Sequence, residues 1–598
     1  MKKQKRQKVN YETNWNLGLL YKNINDPKIE KDMQLVESEC QKFAQKWRGA
    51  DFTNMEKLLK SLQDYELFEE KISNSHPFVF YTLAREVDTG NSKLAGLINK
   101  AQERLVQAFN EALFYALEIG KLEKTVQEKI IQDSRFEKYR YMLERLFITA
   151  KHQLSESEEK ILLLKRNVAY ESWIEMTEKA LGELTVTWKK EILPITKASG
   201  LIQTLQKQSD RKKLYDLIQE KIAGIQLIAE AEINAVINNK KIDDNLRGFH
   251  SPQDATLIDY QNTNEELSAL LQAVKKYEKL PEKLFTLKKK LLQLEKLGPY
   301  DMAIQLSATH KKYSFDEAVS IVRNAFEKVH PEYRIIFDSF LKNGQIDAYS
   351  RKGKKGGGYC WGDYGRPTYI LLNWNDTFDA VRTLAHEMGH AVHAEYSNKH
   401  QGVLYHDHPI STAEVASTLF ENFVRDELYI TLSEKDQLFE RFNYLQESFM
   451  TIHRQINHFL FEQEMYDGVY KNGTLNAGEI SKIRAKYLKQ YMGKSTEITN
   501  HDGLGWITHS HMRRHFYVYS YAYGQLISTT MYEKYKQDNN FIEKINQFLS
   551  AGGSNTPANI FKAIGIDTSD PMFWEAGLQS LQKELQQLEK DCKKYGLI

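Results

Sequence analysis

The chain has 598 residues, too long for one compact core, and 41% of them are hydrophobic, enough for a folded soluble protein with more than one lobe. Its 82 lysines and arginines nearly balance 80 aspartates and glutamates, for a net charge of +2, so nucleic acid and membrane surfaces are not expected partners. Only Cys40, Cys360 and Cys592 occur, far apart and odd in number; they exclude a disulfide framework and a C-x-x-C metal site and fit a reducing cytoplasm. Residues 2–8 form a basic run that reads as a solvated tail. No apolar stretch follows it, so a secretory signal is not expected, and no run of about 18 apolar residues suggests a membrane span. Helical spacing then runs through residues 94–132, 155–185 and 205–240. Thr263 with Glu266 predicts a capping box opening a helix to about Lys279; Pro281 suits the first turn of the next, which ends near Gly298. Ser314 with Glu317 repeats the box. Residues 345–349 and 367–374 are short, β-branched and aromatic. They flank a glycine-rich stretch and predict a hairpin or small sheet. From Asp379 the chain reads as helical nearly to its end. A soft boundary near Ser199-Gly200 divides a helical lobe, 1–200, from a catalytic lobe, 201–598.

His386-Glu387-Met388-Gly389-His390 matches H-E-x-x-H within a helical pattern. Residues i and i+4 share a helix face, so both imidazoles can reach one metal ion. Zinc takes nitrogen and oxygen ligands and keeps an open position in catalytic sites. Glu387 lies beside the first ligand, placed to take a proton from the attacking water and pass one to a leaving amine. A second helix is expected around Ser411 to Glu421. Glu414 and Glu421, seven apart on one face, read either as a solvated stripe or as the missing carboxylate ligand with a partner for an imidazole N–H behind it. Cobalt and manganese suit the same donors.

Residues 383–421 resemble the oligoendopeptidase F branch of the thimet oligopeptidase family of zinc metallopeptidases. The H-E-x-G-H helix is followed by Ala413-Glu414-Val415-Ala416-Ser417-Thr418, as in that family. Trp15-Asn16-Leu17, the glycine-rich stretch 352–359, Tyr369-Ile370-Leu371-Leu372-Asn373-Trp374, Gly552-Gly553-Ser554 and Phe573-Trp574-Glu575 carry the likeness over nearly the whole chain. The resemblance implies a mainly α, zincin-like fold: a two-lobed helical ellipsoid with a deep central channel and a small β-sheet near the zinc helix. It implies one zinc ion held by His386, His390 and Glu414, Glu421 behind them, and short peptides as substrates.

The resemblance also carries over a histidine five residues after a tryptophan, here His511 after Trp506, followed by Phe516-Tyr517-Val518-Tyr519-Ser520-Tyr521. It implies His511, Tyr517 and Tyr521 as donors to the transition state, the tyrosine that acts being left open. If this run were helical, Tyr517 and Tyr521 would share one face and Tyr519 and Tyr523 another. Met512-Arg513 replaces the family's usual aromatic pair. The glycine run 356–358 reads as a mobile turn over a bound peptide, with Gly356 and Gly357 expected to touch it, since the order of a phosphate loop is missing. Strand 368–373, with Tyr369 and Asn373, is expected to be a sheet edge that pairs with the peptide backbone. His400, His406 and His408 suit a loop rather than a second metal site. The expected function is a cytoplasmic zinc endopeptidase of short peptides; the rivals are a carboxypeptidase or dipeptidase on the same scaffold, and a non-catalytic peptide-binding scaffold.

Overall fold

The structure is a computed structural model that describes residues 11–306 and 311–598; the basic run 2–8 lies outside the described residues. Helix takes 71% of the chain and strand 4%, as a mainly α fold requires. Several of the scarce prolines, Pro27, Pro77, Pro281, Pro331, Pro557 and Pro571, stand in first helical turns, where a missing N–H costs nothing. The capping boxes of Thr263 with Glu266 and Ser314 with Glu317 are both formed, opening Asn264–Lys276 and Phe315–Val329. The longer helical stretches are interrupted: Ser92–Gly120 ends before Lys124–Gln132, and Gln208–Ala223 before Gln226–Arg247. No helix among the described residues is long and apolar enough to cross a membrane.

The chain forms two compact units, each assembled from three stretches. The first comprises residues 1–151, 311–431 and 531–565. One of its cores gathers Phe43, Phe68, Tyr115 and Phe136 from the early helices; another gathers Tyr21, Phe80 and Tyr369. Its sheet corrects two expectations. Ile346–Tyr349 does not form a hairpin with Tyr369–Trp374 but pairs with it in parallel, and Tyr359–Trp361 pairs antiparallel on the other side. Tyr369–Trp374 is therefore the central strand, and Tyr359–Trp361 is an edge. Nor does Tyr369 face a ligand. It is fully buried, and its hydroxyl donates to the Asn16 carbonyl at 3.0 Å.

The second unit comprises residues 152–310, 432–530 and 566–598. It holds a hairpin, Thr185–Trp188 with Glu191–Pro194, where a helix was expected to run to residue 185. Lys189 and Lys190, both at positive φ, make its two-residue turn. A core of Phe285, Leu297, Leu488, Tyr491 and Met492 joins its middle helices.

Candidate active site

In the first unit, Thr377 caps the helix Phe378–His400, its hydroxyl accepting the Ala380 N–H at 3.1 Å. Val381, Leu384, Ala385, Met388, Ala391 and Val392 are fully buried and fix the rotation of this helix. The opposite positions, His386 and His390, then lie together with ring centroids 4.9 Å apart. The helix Ile410–Tyr429 packs extensively against it and comes closest at Gly389. A Cβ built on Gly389 would lie 2.7 Å from the Ser417 Cα and 3.0 Å from the Ala416 carbonyl oxygen, so only glycine fits. This contact brings Glu414 to the histidines: its Oε2 lies 3.6 Å from His386 Nε2 and 4.0 Å from His390 Nε2.

Those three donor atoms lie within 4.8 Å of one another and form the metal-ligand cluster of three found among the described residues. Zinc binds nitrogen and oxygen at about 2.0–2.2 Å, which puts tetrahedral ligands roughly 3.4 Å apart, so the set fits one zinc with little adjustment. Behind it, His386 Nδ1 meets Glu421 Oε1 at 2.6 Å, and Arg382 donates to the other Glu421 oxygen at 2.9 Å. Burial pulls Glu421 toward neutrality, but Arg382 and His386 outweigh it and hold the carboxyl at about 2. An ionised carboxylate only accepts, so His386 donates from Nδ1 and presents Nε2 toward Glu414. Burial lowers the proton affinity of His386, but Glu421, then Glu387 and Glu414, raise its pKa to about 9. The surroundings thus attract positive charge at this spot, whether a proton or a metal ion.

Glu387 is 6% exposed. Burial, opposed by His386 and reinforced by Glu414 and Glu421, pushes its carboxyl up to about 7; a bound dication would pull it back down. A Cβ on Gly358 would lie 3.2 Å from Glu387 Oε1 and 3.0 Å from the Thr383 methyl, so the start of the edge strand rests directly on the H-E-x-x-H helix. Gly358, the last glycine of the run expected to form a mobile turn, is the one that rests on this helix. Gly356 and Gly357 are exposed, Gly357 at φ +82°. Asn373 does not point to a free edge: its amide donates to the carbonyls of Lys355 at 2.9 Å and Gly357 at 2.7 Å and fastens the glycine loop to the sheet. A recess of about 180 Å³ opens between this loop, Asn373 and Thr383. His400 and His406 bond to backbone carbonyls, His406 also to Asp363, and His408 stacks on His393.

The second unit holds the other predicted residues. The run 509–523 is not one helix. Ser510–Arg514 is a 3-10 turn, His515 and Phe516 both take positive φ (40° and 62°), and the helix begins only at Tyr519. This break still joins the predicted set. His511 Nε2 lies 3.2 Å from the Tyr521 hydroxyl, the Tyr517 ring is parallel to His511 at 5.6 Å, and Tyr517 and Tyr521 meet edge to face at 5.2 Å. Burial, with Arg514 and Arg454, lowers the His511 pKa, so its imidazole is neutral at pH 7. Tyr519 and Tyr523 are packing residues instead, buried and donating to Asn262 and Glu266.

A sequence model described as peptidase family M3 matches residues 201–580, and one described as oligopeptidase F matches residues 118–185. Oligopeptidase PepF of Bacillus subtilis is 25% identical over 98% of this chain and 88% of its own length. An oligoendopeptidase F homolog of Lactococcus lactis is 24% identical over 98% and 99%. Among solved structures, one from Chlamydophila abortus superposes with a TM-score of 0.84 at 23% identity over 99% of both chains. Oligoendopeptidase-F from Enterococcus faecium gives 0.69 at 19% identity over 94% of this chain and 98% of its own.

Proposed function

Because the chain belongs to peptidase family M3 and is a metallo-endopeptidase of oligopeptides, we propose that it hydrolyses short peptides at one zinc ion held by His386, His390 and Glu414, with Glu387 as the general base. The observation that carries this reading is the convergence of those three donors within 4.8 Å, with Glu387 on the same helix turn. When bound, zinc supplies a Lewis acid and lowers the pKa of the attacking water toward about 7. Glu387 takes that water's proton and returns one to the leaving amine; its buried position favours the neutral form it must pass through. Glu421 and Arg382 hold the His386 ring in place. His511, Tyr517 and Tyr521 are assigned as transition-state donors, a role supported by the 3.2 Å approach of His511 to the Tyr521 hydroxyl and by the packing of the Tyr517 ring against both.

The peptide backbone is assigned to the edge that begins at Gly358 and runs through Tyr359–Trp361, with Gly356 and Gly357 as the loop over it and Asn373 as that loop's anchor. A division of the sequence into 1–200 and a metallopeptidase part, 201–598, belongs to the same proposal; the two family models part between residues 185 and 201, which supports it, although the two compact units of the fold interleave across that boundary. So does a cytoplasmic location, supported by three unpaired cysteines. A quenched peptide blocked at both ends tests the whole reading: it is cleaved, cleavage stops on chelation, and stoichiometric zinc restores it. Cleavage that survives full metal removal would overturn the mechanism, and a requirement for a free terminus would make the protein an exopeptidase.

A further inference from the structure

The second unit contains two arginines among neutral histidines, with no carboxylate paired to either arginine among the described residues. A π-helical turn, Met450–Arg454, leads into the helix Gln455–Asn472. Arg454 and His458, four apart, fall on one face of this helical stretch, and Phe461 follows. Arg484, from Ala477–Met492, reaches the same place: its guanidinium lies over the Phe461 ring, and its Nη2 donates to His458 Nε2 at 3.0 Å. His509 stacks on His458 with centroids 3.9 Å apart, and His511 lies 5.2 Å beyond.

The hydrogen bonds of this cluster are incomplete. Arg454 Nε, Arg484 Nε, His458 Nδ1 and His509 Nε2 are all buried without a partner among the described residues. Arg484 and His458 are only 6% and 3% exposed. Because His458 accepts at Nε2, its Nδ1 must carry a proton, so at least three unpaired N–H donors meet here. Among the described residues no carboxylate pairs with Arg454 or Arg484. Burial, then Arg454, depresses Arg484, and burial with both arginines holds His458 neutral. A histidine can relieve such crowding by losing its proton. A guanidinium cannot, so the buried Arg484, beside the half-buried Arg454, favours an opposite charge.

We propose that Arg454, Arg484, His458 and His509 form a binding site for one singly charged anion of halide or carboxylate size. Two sources share that chemistry, a free inorganic anion and the C-terminal carboxylate of a peptide. The anion completes the unpaired donors and screens Arg454 from His511, so it adjusts the hydrogen-bonding strength of that imidazole.

The test uses the full chain in gluconate buffer, into which chloride or bromide is titrated at constant ionic strength. A saturable rise in Tm of about 2 to 4 °C at 100 times Kd is expected, and Arg454→Met and Arg484→Met abolish the dependence. Should those variants fail to fold, bromide anomalous scattering from wild-type crystals replaces them, with a peak between the two guanidiniums expected. Cleavage of a free-acid peptide and its amide separates the sources. Tenfold preference for the acid in gluconate, lost as chloride competes, identifies the peptide terminus; equal chloride dependence of both peptides identifies the free anion. The cleavage arm rests on the peptidase reading, whereas the thermal arm does not, so the two fail separately. No saturable shift with either halide, together with no acid preference, would overturn the site, as would unchanged halide dependence in both folded variants.

Discussion

Gly389→Ala is the smallest change that challenges the metal centre without touching a ligand. In an unpacked helix it would stabilise by about 1 kcal/mol, because glycine is a poor helix former. Here the added Cβ would stand 2.7 Å from the Ser417 Cα. Carbon atoms pack at about 3.5–4.0 Å, so the two helices must separate by about 1 Å. The obstacle is backbone and has no rotamer to escape into. Overpacking of this kind costs about 1–3 kcal/mol, which cancels or reverses the propensity gain. Glu414 stands one helical turn before Ser417 and moves with it. Its oxygen, now 3.6 Å from His386 Nε2, would end at roughly 4.6 Å, too far for both to bind one ion at about 2.0–2.2 Å. Zinc affinity should therefore fall, and kcat/KM by about 100-fold, the usual effect of a 1 Å misplacement. Chelator competition measures the first, and peptide hydrolysis at saturating zinc the second. A folded variant with wild-type zinc affinity and turnover within twofold would refute the argument that this contact sets the ligand geometry.

Glu387→Gln should keep zinc and peptide affinity while losing at least about 100-fold in kcat; an active variant, assayed for zinc on the same preparation, would remove Glu387 as the base. Glu414→Ala should lower zinc content and activity together, because two imidazoles alone hold zinc poorly, and full occupancy would disprove its ligand role. His511→Ala and Tyr521→Phe should each lower kcat on the order of 100-fold with smaller changes in KM; a rise in KM alone would recast them as groups that only position substrate. Burial raises Glu462 to about 8, against an unfolded value near 4.3, so between these values the native state holds a proton that the unfolded chain lacks. Stability should fall as pH rises through that window, by up to about 1.4 kcal/mol per unit; Glu462→Gln should remove the slope and gain in Tm over wild type from pH 5 to 8, and parallel curves would refute it.

What the sequence could say followed from local physics. H-E-x-x-H needs only one helix, so its face geometry was readable from spacing, and the capping boxes at Thr263 and Ser314 were readable for the same reason. Strand order was not, because it depends on partners far away in the chain. Residues 346–349 and 369–374 look like the arms of a hairpin until the segment Tyr359–Trp361 takes the outer place. The Tyr369 side chain was assigned to the ligand because nothing local reveals that Asn16 lies beneath it. The hairpin at Lys189-Lys190 was hidden because two lysines occupy positions that usually call for glycine or asparagine.

The same kind of concealment bears on the segment that carries His511. A histidine followed by a phenylalanine offers no hint of two consecutive left-handed residues, each costing on the order of 1–3 kcal/mol. Three groups from two helices, Gln455–Asn472 and Asp254–Asp259, oppose that cost. Glu462 accepts the Phe516 N–H at 2.8 Å, the Tyr466 hydroxyl meets His515 Nδ1 at 2.6 Å, and Thr256 donates to the His515 carbonyl at 2.7 Å. Together they fix the reversal that folds His511 back onto the two tyrosines. A continuous helix through 511–521 would carry His511 about 15 Å along the axis from Tyr521, at 1.5 Å per residue; the turn instead brings their polar atoms to 3.2 Å. The strained pair is thus what allows one segment to present an imidazole and two phenols at a single point, and its position is set by the core of the second unit rather than by the residues it presents.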